Sequence, residues 1–304
     1  MTLLSATNEY SPLSNVQTAH TLQCMEIWGG SEAIDSSVSV PGIDAWIAST
    51  PYGGAASGGD IHYVSVCACG EISRFALADV TGHGDDAASL AGRLRAMMRR
   101  YINTPDQTDI VRSLNRDMTR IASHGSFATA VLAAYFPPTD HLIICNAGHP
   151  APLWYHADTA LWEALKPQCP RIDQQVRNIP LGIIEETDFI QFAVKLEKGD
   201  LVLMFSDAVT EASNDQDRML GVEGLLATLA VIPVDDPPRM LNQLIEALSL
   251  YRGGAPAGDD QTLLLLHHNA TDPPRLSLGG RLRAVARMIG LTISAISKSG
   301  ISKA

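Results

Sequence analysis

Gly58-Gly59-Asp60-Ile61-His62-Tyr63-Val64-Ser65-Val66 and, a few residues on, Phe75-Ala76-Leu77-Ala78-Asp79-Val80 are the stretch on which the fold turns. Both runs are β-rich, and Cys69-Gly70-Glu71 splits them. Residues 61–80 therefore read as a hairpin. An aspartate opens the first run and another closes the second. After Asp79 comes a turn, Val80-Thr81-Gly82-His83-Gly84, and then the apolar period lengthens. Leu90, Leu94, Met97, Met98 and Tyr101 recur at helical spacing, with Arg93, Arg95, Arg99 and Arg100 largely on the other faces. Asp85 and Asp86 stand where a helix dipole favours anions.

Two more aspartates border strand-like runs. Asp207 ends Leu201-Val202-Leu203-Met204-Phe205-Ser206, and Asp259, with Asp260, precedes Gln261-Thr262 and four leucines. Carboxylates at strand ends can converge on one rim of a sheet. At ~4 Å and an effective dielectric of ~20, each anionic pair would repel by roughly 4 kcal/mol. Hard divalent cations remove that cost, and oxygen-only ligand sets suit Mg²⁺ and Mn²⁺. The pattern points to a two-metal hydrolytic centre.

Further out, residues 1–40 are rich in Ser and Thr and read as a partly irregular N-terminal extension. Ile43 to Ala48 reads as a strand and residues 52–60 as a glycine-rich turn. A second helix is expected from Thr108 to Ala122. Strands follow over Phe127–Phe136 and His141–Asn146, joined by the turn Pro137–Asp140, and another over Pro152–Tyr155. Residues 157–178 are polar and take no clear assignment. Phe189–Leu196 and Leu201–Ser206 are expected to pair as a hairpin about Glu197-Lys198-Gly199-Asp200. Helices fit Val222–Leu229 and Pro238–Tyr251, and a last strand Gln261–His267. Helices thus fall in pairs between groups of hairpin-connected strands. That predicts an α+β fold, with antiparallel sheets and helices packed outside. One domain is expected over 41–270, followed by a basic tail, 271–304, helical or disordered.

The bulk properties narrow the function. The 304 residues carry a net charge of −11, which argues against general nucleic-acid binding. Residues 275–304 hold six basic side chains and no acid, leaving 16 basic against 33 acidic residues elsewhere. The five cysteines, at 24, 67, 69, 145 and 169, are scattered through apolar runs and fit reduced thiols. Cys67 and Cys69 would share one strand face, but no second Cys/His pair has zinc-ligand spacing. With no signal-like start and no apolar run of about 18 residues, the expected location is cytoplasmic.

Six motifs in order resemble a known family: Gly58-Gly59-Asp60, Ala78-Asp-Val-Thr-Gly-His-Gly84, Asn146-Ala-Gly-His-Pro150, Pro180-Leu-Gly182, Lys198 through Asp207 with Val209-Thr-Glu211, and Asp259-Asp-Gln-Thr262. They are similar to the metal-dependent protein serine/threonine phosphatases (PPM, or protein phosphatase 2C type), in the bacterial SpoIIE/RsbU branch. The resemblance implies an α-β-β-α sandwich of two antiparallel sheets flanked by helices, with two Mn²⁺ or Mg²⁺ ions at one end. It implies Asp60, Asp79, Asp207 and Asp259 as metal ligands, with the Val80 carbonyl as a backbone ligand. Asp60 and Asp79 would also be catalytic, and His83, in the Gly-His-Gly turn, is a further catalytic candidate. Asp260 would orient the ligands from behind, or be a solvated strand end. The implied reaction is attack on a phosphoserine or phosphothreonine by metal-activated water, without a phosphoenzyme. The implied substrate is a phosphorylated regulator such as an anti-anti-sigma (STAS-type) protein. A separate sensor partner could supply the input. The chain departs from the family at Asp207-Ala208, where glycine is usual; if that turn needs φ > 0, alanine would strain it.

Simpler roles compete. A lone aspartate near glycine is most simply a turn residue or cap, but four in these motifs favour metal. His149 and Asn146 read as organisers of a buried loop, His62 as a strand residue, and Arg93 to Arg100 as a solvated helix face. The tail, with Arg281, Arg283 and Arg287 beside Val285, Met288 and Ile289, could rest on a membrane; self-docking or a disordered terminus is favoured over that contact. Two functions rival the phosphatase: a degenerate relative that binds a phosphoprotein regulator without turnover, and a hydrolase of small phosphoesters.

Overall fold

A computed structural model of the chain describes residues 20–23, 26–67, 70–81, 85–101, 104, 106–121, 126–167 and 177–271. Thirteen strands and four helices are found among them. In chain order they are β1 (His20–Thr21), β2 (Ile27–Glu32), β3 (Ile34–Val40), β4 (Ile43–Thr50), β5 (Ser57–Cys67), β6 (Ile72–Val80), α1 (Asp85–Tyr101), α2 (Gln107–Ile121), β7 (Ala128–Phe136), β8 (His141–Ala147), β9 (Leu153–His156), β10 (Leu161–Ala164), β11 (Gln191–Lys195), β12 (Leu201–Phe205), α3 (Gly221–Leu229), α4 (Pro237–Tyr251) and β13 (Gln261–His268).

The strands form two sheets. One has seven strands in the order β1-β3-β4-β13-β12-β9-β10, and the other six in the order β11-β8-β7-β6-β5-β2. Every strand pair is antiparallel except the two-residue β1–β3 contact. Three apolar layers glue this together. Val64, Val66, Phe75, Leu77, Val131 and Tyr135 meet Val38, Ile43, Ile47, Val202 and Leu264 between the sheets. Ile61, Tyr63, Ala76 and Ala130 pack under Leu94, Met98, Leu114 and Met118 of α1 and α2. Leu203, Phe205, Leu263 and Leu265 pack under Leu225, Met240, Leu241 and Leu244 of α3 and α4. The result is the α-β-β-α sandwich. Its central strands are covered on both faces, so β12 is buried at every position and reads as a continuous apolar run.

Four expectations change. Residues 57–60, expected within a glycine-rich turn, open β5 instead. The anticipated hairpin between residues 189–196 and 201–206 does not form. β11 pairs with β8 in one sheet, whereas β12 lies between β13 and β9 in the other. The intervening turn carries the chain across the sandwich. Asp200, buried there, anchors it by accepting from the Trp154 indole N–H (3.1 Å) and from the backbone N–H of Ala157 and Glu197 (both 2.9 Å). Within 157–178, Leu161–Ala164 forms β10, paired with β9. Within 1–40, the described residues supply three strands, β2 joining one sheet and β1 and β3 the other. Cys67 and Cys145 are buried, and burial pushes the Cys145 thiol up to about 12. Cys24, Cys69, Cys169 and the tail from 272 lie outside the described residues. No described helix is long and apolar enough to cross a membrane.

Candidate metal centre

The β5–β6 hairpin brings Asp60 directly opposite Asp79, and Thr129 of β7 sits across Asp79 on its other side. Side chains opposite each other in register share a face. Here it is the inter-sheet face, because the same alternation places Val64, Phe75, Leu77 and Val131 in the central layer. From the other sheet, Asp207 follows β12 in a 3₁₀ turn, Asp207–Val209, and Asp259 and Asp260 precede β13. Hydrogen bonds lock these two strand ends together. Ser206 N–H donates to the Thr262 carbonyl (3.0 Å), Thr262 N–H to Ser206 Oγ (2.9 Å), and Ser206 Oγ–H to the Asp260 carbonyl (3.2 Å). Carboxylates from both sheets therefore face one another at one end of the sandwich.

Electrostatics records that proximity. Asp60 is 2% exposed, and neither carboxylate oxygen has a hydrogen-bond partner. Burial, then the charge of Asp79, raises its pKa well above the carboxylate range; the nearby Thr262 and Ser206 hydroxyls act the other way without completing a bond to it. Asp79 is pushed up to about 8, first by burial and then by Asp207, Asp259, Asp260 and Glu211. Asp207 is raised by burial and by Asp259. Glu211 is raised by burial, Asp207 and Asp259. Carboxylates that disfavour one another's charge are what a bound cation reverses. The donor set is all oxygen, the chemistry of Mg²⁺ and Mn²⁺. Yet among the described residues no three His, Cys, Asp or Glu side chains are drawn together closely enough to hold an ion as they stand. The fit to cations therefore rests on the orphaned, mutually repelling carboxylates rather than on a closed cage.

Asp260 is buried, not a solvated strand end. Its carboxylate accepts from Tyr52 N–H (2.6 Å) and Gly59 N–H (2.5 Å), so it grips the segment that presents Asp60. A Cβ on Gly58 would lie 2.3 Å from Asp260 Oδ1, which is why that position is glycine. Ala208 brings no strain: it lies within the 3₁₀ turn and is not among the residues with positive φ. Val80 ends β6 opposite Ala128, with its side chain in the layer beneath α1 and α2. His83 lies outside the described residues.

The sequence and the fold have known counterparts. The family described as Stage II sporulation protein E (SpoIIE) matches residues 71–269, well over half of the chain. The chain belongs to the SpoIIE family. Phosphoserine phosphatase RsbU of Bacillus subtilis (strain 168) is 29% identical over 149 residues, covering 48% of this chain and 41% of that protein. The chain thus spans less than half the length of this curated relative. The crystal structure of the RsbU and RsbW domains of a Mycobacterium tuberculosis protein aligns with a TM-score of 0.61 at 25% identity, covering 77% of this chain and 63% of that one. The PP2C phosphatase domain of SpoIIE from Bacillus subtilis aligns with a TM-score of 0.63 at 17% identity, covering 80% and 71%; at that identity the likeness concerns the fold. In this SpoIIE-family chain, the inferred acid pairings needed the register; Glu211 stood in a quoted motif without a role of its own, and Thr129, inside an apolar strand, had no sequence signal.

Proposed function

We propose that the chain is a metal-dependent phosphatase that hydrolyses phosphoserine or phosphothreonine on a regulatory protein. The observation that carries this is the Asp60–Asp79 cross-strand pair, buried without hydrogen bonds at Asp60 and faced from the other sheet by Asp207 and Asp259. Asp60, Asp79, Asp207 and Asp259 would hold two Mn²⁺ or Mg²⁺ ions, with Val80 lending its carbonyl. When bound, such ions neutralise phosphoryl oxygens and acidify water for attack at phosphorus. The protein's own part is positional. The β5–β6 register fixes one carboxylate pair, the Ser206–Thr262 bonds fix the second, and Asp260 holds the Gly59 backbone.

The relatives support a regulatory substrate. One is named a phosphoserine phosphatase, and another carries RsbU and RsbW domains in one chain. We take an anti-anti-sigma (STAS-type) phosphoprotein as the leading candidate, in the cytoplasm, with a separate sensor as input. The non-catalytic reading loses its one support, since Ala208 sits unstrained. Asp79→Asn and Asp207→Asn should each abolish Mn²⁺-dependent release of phosphate from a phosphoserine protein. Full activity in either variant, or in excess chelator, would defeat the assignment.

A further inference from the structure

His149 lies in the turn Asn146–Pro150, where the chain leaves β8 in one sheet for β9 in the other. The turn is pinned. Asn146 Nδ2 donates to the carbonyls of His149 (2.9 Å) and Pro150 (3.4 Å), and Asn146 Oδ1 accepts from His149 N–H (2.9 Å). Gly148 has φ +71°, and a Cβ there would meet Pro180 Cγ at 2.5 Å. The imidazole is thereby fixed between the sheets, 6% exposed. Nδ1 lies 2.7 Å from Thr129 Oγ1, on the six-stranded sheet. The Phe205 carbonyl, on the seven-stranded sheet and two residues before Asp207, draws the ring slightly towards the charged form, although Nε2 completes no hydrogen bond. Burial dominates and holds the ring neutral, with its pKa lowered to about 3.

A neutral imidazole has one donor and one acceptor nitrogen. Nδ1 and the Thr129 hydroxyl share one hydrogen bond, whose donor depends on which ring nitrogen carries the proton. Thr129 stands directly across from Asp79. His149 thus ties the residue beside Asp79 to the turn that crosses between the sheets.

We propose that His149 is a positioning residue: its bond to the Thr129 hydroxyl between the two sheets fixes the β7 neighbour of Asp79, and with it the place from which the Asp79 carboxylate meets a divalent cation. This rests on the proposed metal-dependent function and adds to it a device outside the carboxylates themselves. Outer partners of metal ligands commonly change metal affinity by about 10–100-fold.

The test is Mn²⁺ calorimetry on the full chain, with a melt of each metal-free variant alongside. His149→Gln and Thr129→Val should each weaken Mn²⁺ binding by about 10-fold or more. The double variant should be no weaker than the poorer single, since both break one contact. His149→Asn, whose amide oxygen can occupy the Nδ1 position, should bind close to wild type. Additive losses, or wild-type affinity in Thr129→Val, would overturn the proposal. So would affinity losses that merely follow the metal-free melting temperature across the set. Should His149→Gln fail to fold, the near-isosteric Thr129→Val decides alone. A wild-type chain that neither binds Mn²⁺ nor hydrolyses phosphoprotein sinks the proposed function; a wild type that does both, with an unaffected Thr129→Val, sinks only this inference.

Discussion

Asp79 holds a proton up to about pH 8 in the folded chain, against an ordinary 3.8. Between those values the folded state binds more protons than the unfolded one, so this group lowers stability progressively as pH rises. The cost is absent below pH 3.8 and complete above about 8; Asp60 acts in the same direction. Asp79→Asn, in chelator at pH 8, should therefore melt about 3 °C or more above wild type while losing its response to Mn²⁺. A lower melting temperature at that pH would contradict the electrostatic account. Gly58→Ala forces a methyl against the Asp260 carboxylate and should cost about 1–3 kcal/mol in urea unfolding. The cost should shrink in an Asp260→Ala background, and an unchanged cost would mean that another neighbour sets it. The aspartates were legible in the sequence because each closes or opens an apolar run beside a turn. The contact between Thr129 and His149 was not, because a threonine inside an apolar strand carries no sign of what its hydroxyl meets.

Elements were read well where their pattern is local. The β5–β6 hairpin, α1 and α4 follow from alternation, helical spacing and, in α4, Asp236 accepting from Arg239 N–H with proline in the first turn. The 197–200 turn misled, because its Lys-Gly-Asp chemistry suits a hairpin as well as a crossing between sheets. What separates the two is burial: β11 is partly exposed along its length at a sheet edge, and β12 is covered on both sides. Asp200→Ala should leave three donors without their acceptor and cost about 3 kcal/mol or more in chemical denaturation. A loss below about 1 kcal/mol would mean that the crossing is held by packing alone.

In the whole molecule, like charges from two sheets crowd one end of a sandwich whose central inter-sheet layer is largely apolar. Cations should therefore act as a clamp across the sheets. Mn²⁺ at about 100 times its dissociation constant should add about 2.7 kcal/mol to unfolding, and chelator should remove it. No gain would detach the carboxylate cluster from metal binding. Patterning along the chain was enough for the class of fold and for the order of most helices and strands, and it marked four aspartates as candidates, since these depend on neighbours a few residues apart. Which strands lie side by side, that β2 and β3 belong to the sheets, that Asp260 is buried and that Ala208 is unstrained came only from the folded chain. Those facts depend on residues dozens to hundreds of positions apart meeting in space, as when Asp260 reaches Gly59, and no local pattern encodes such a meeting.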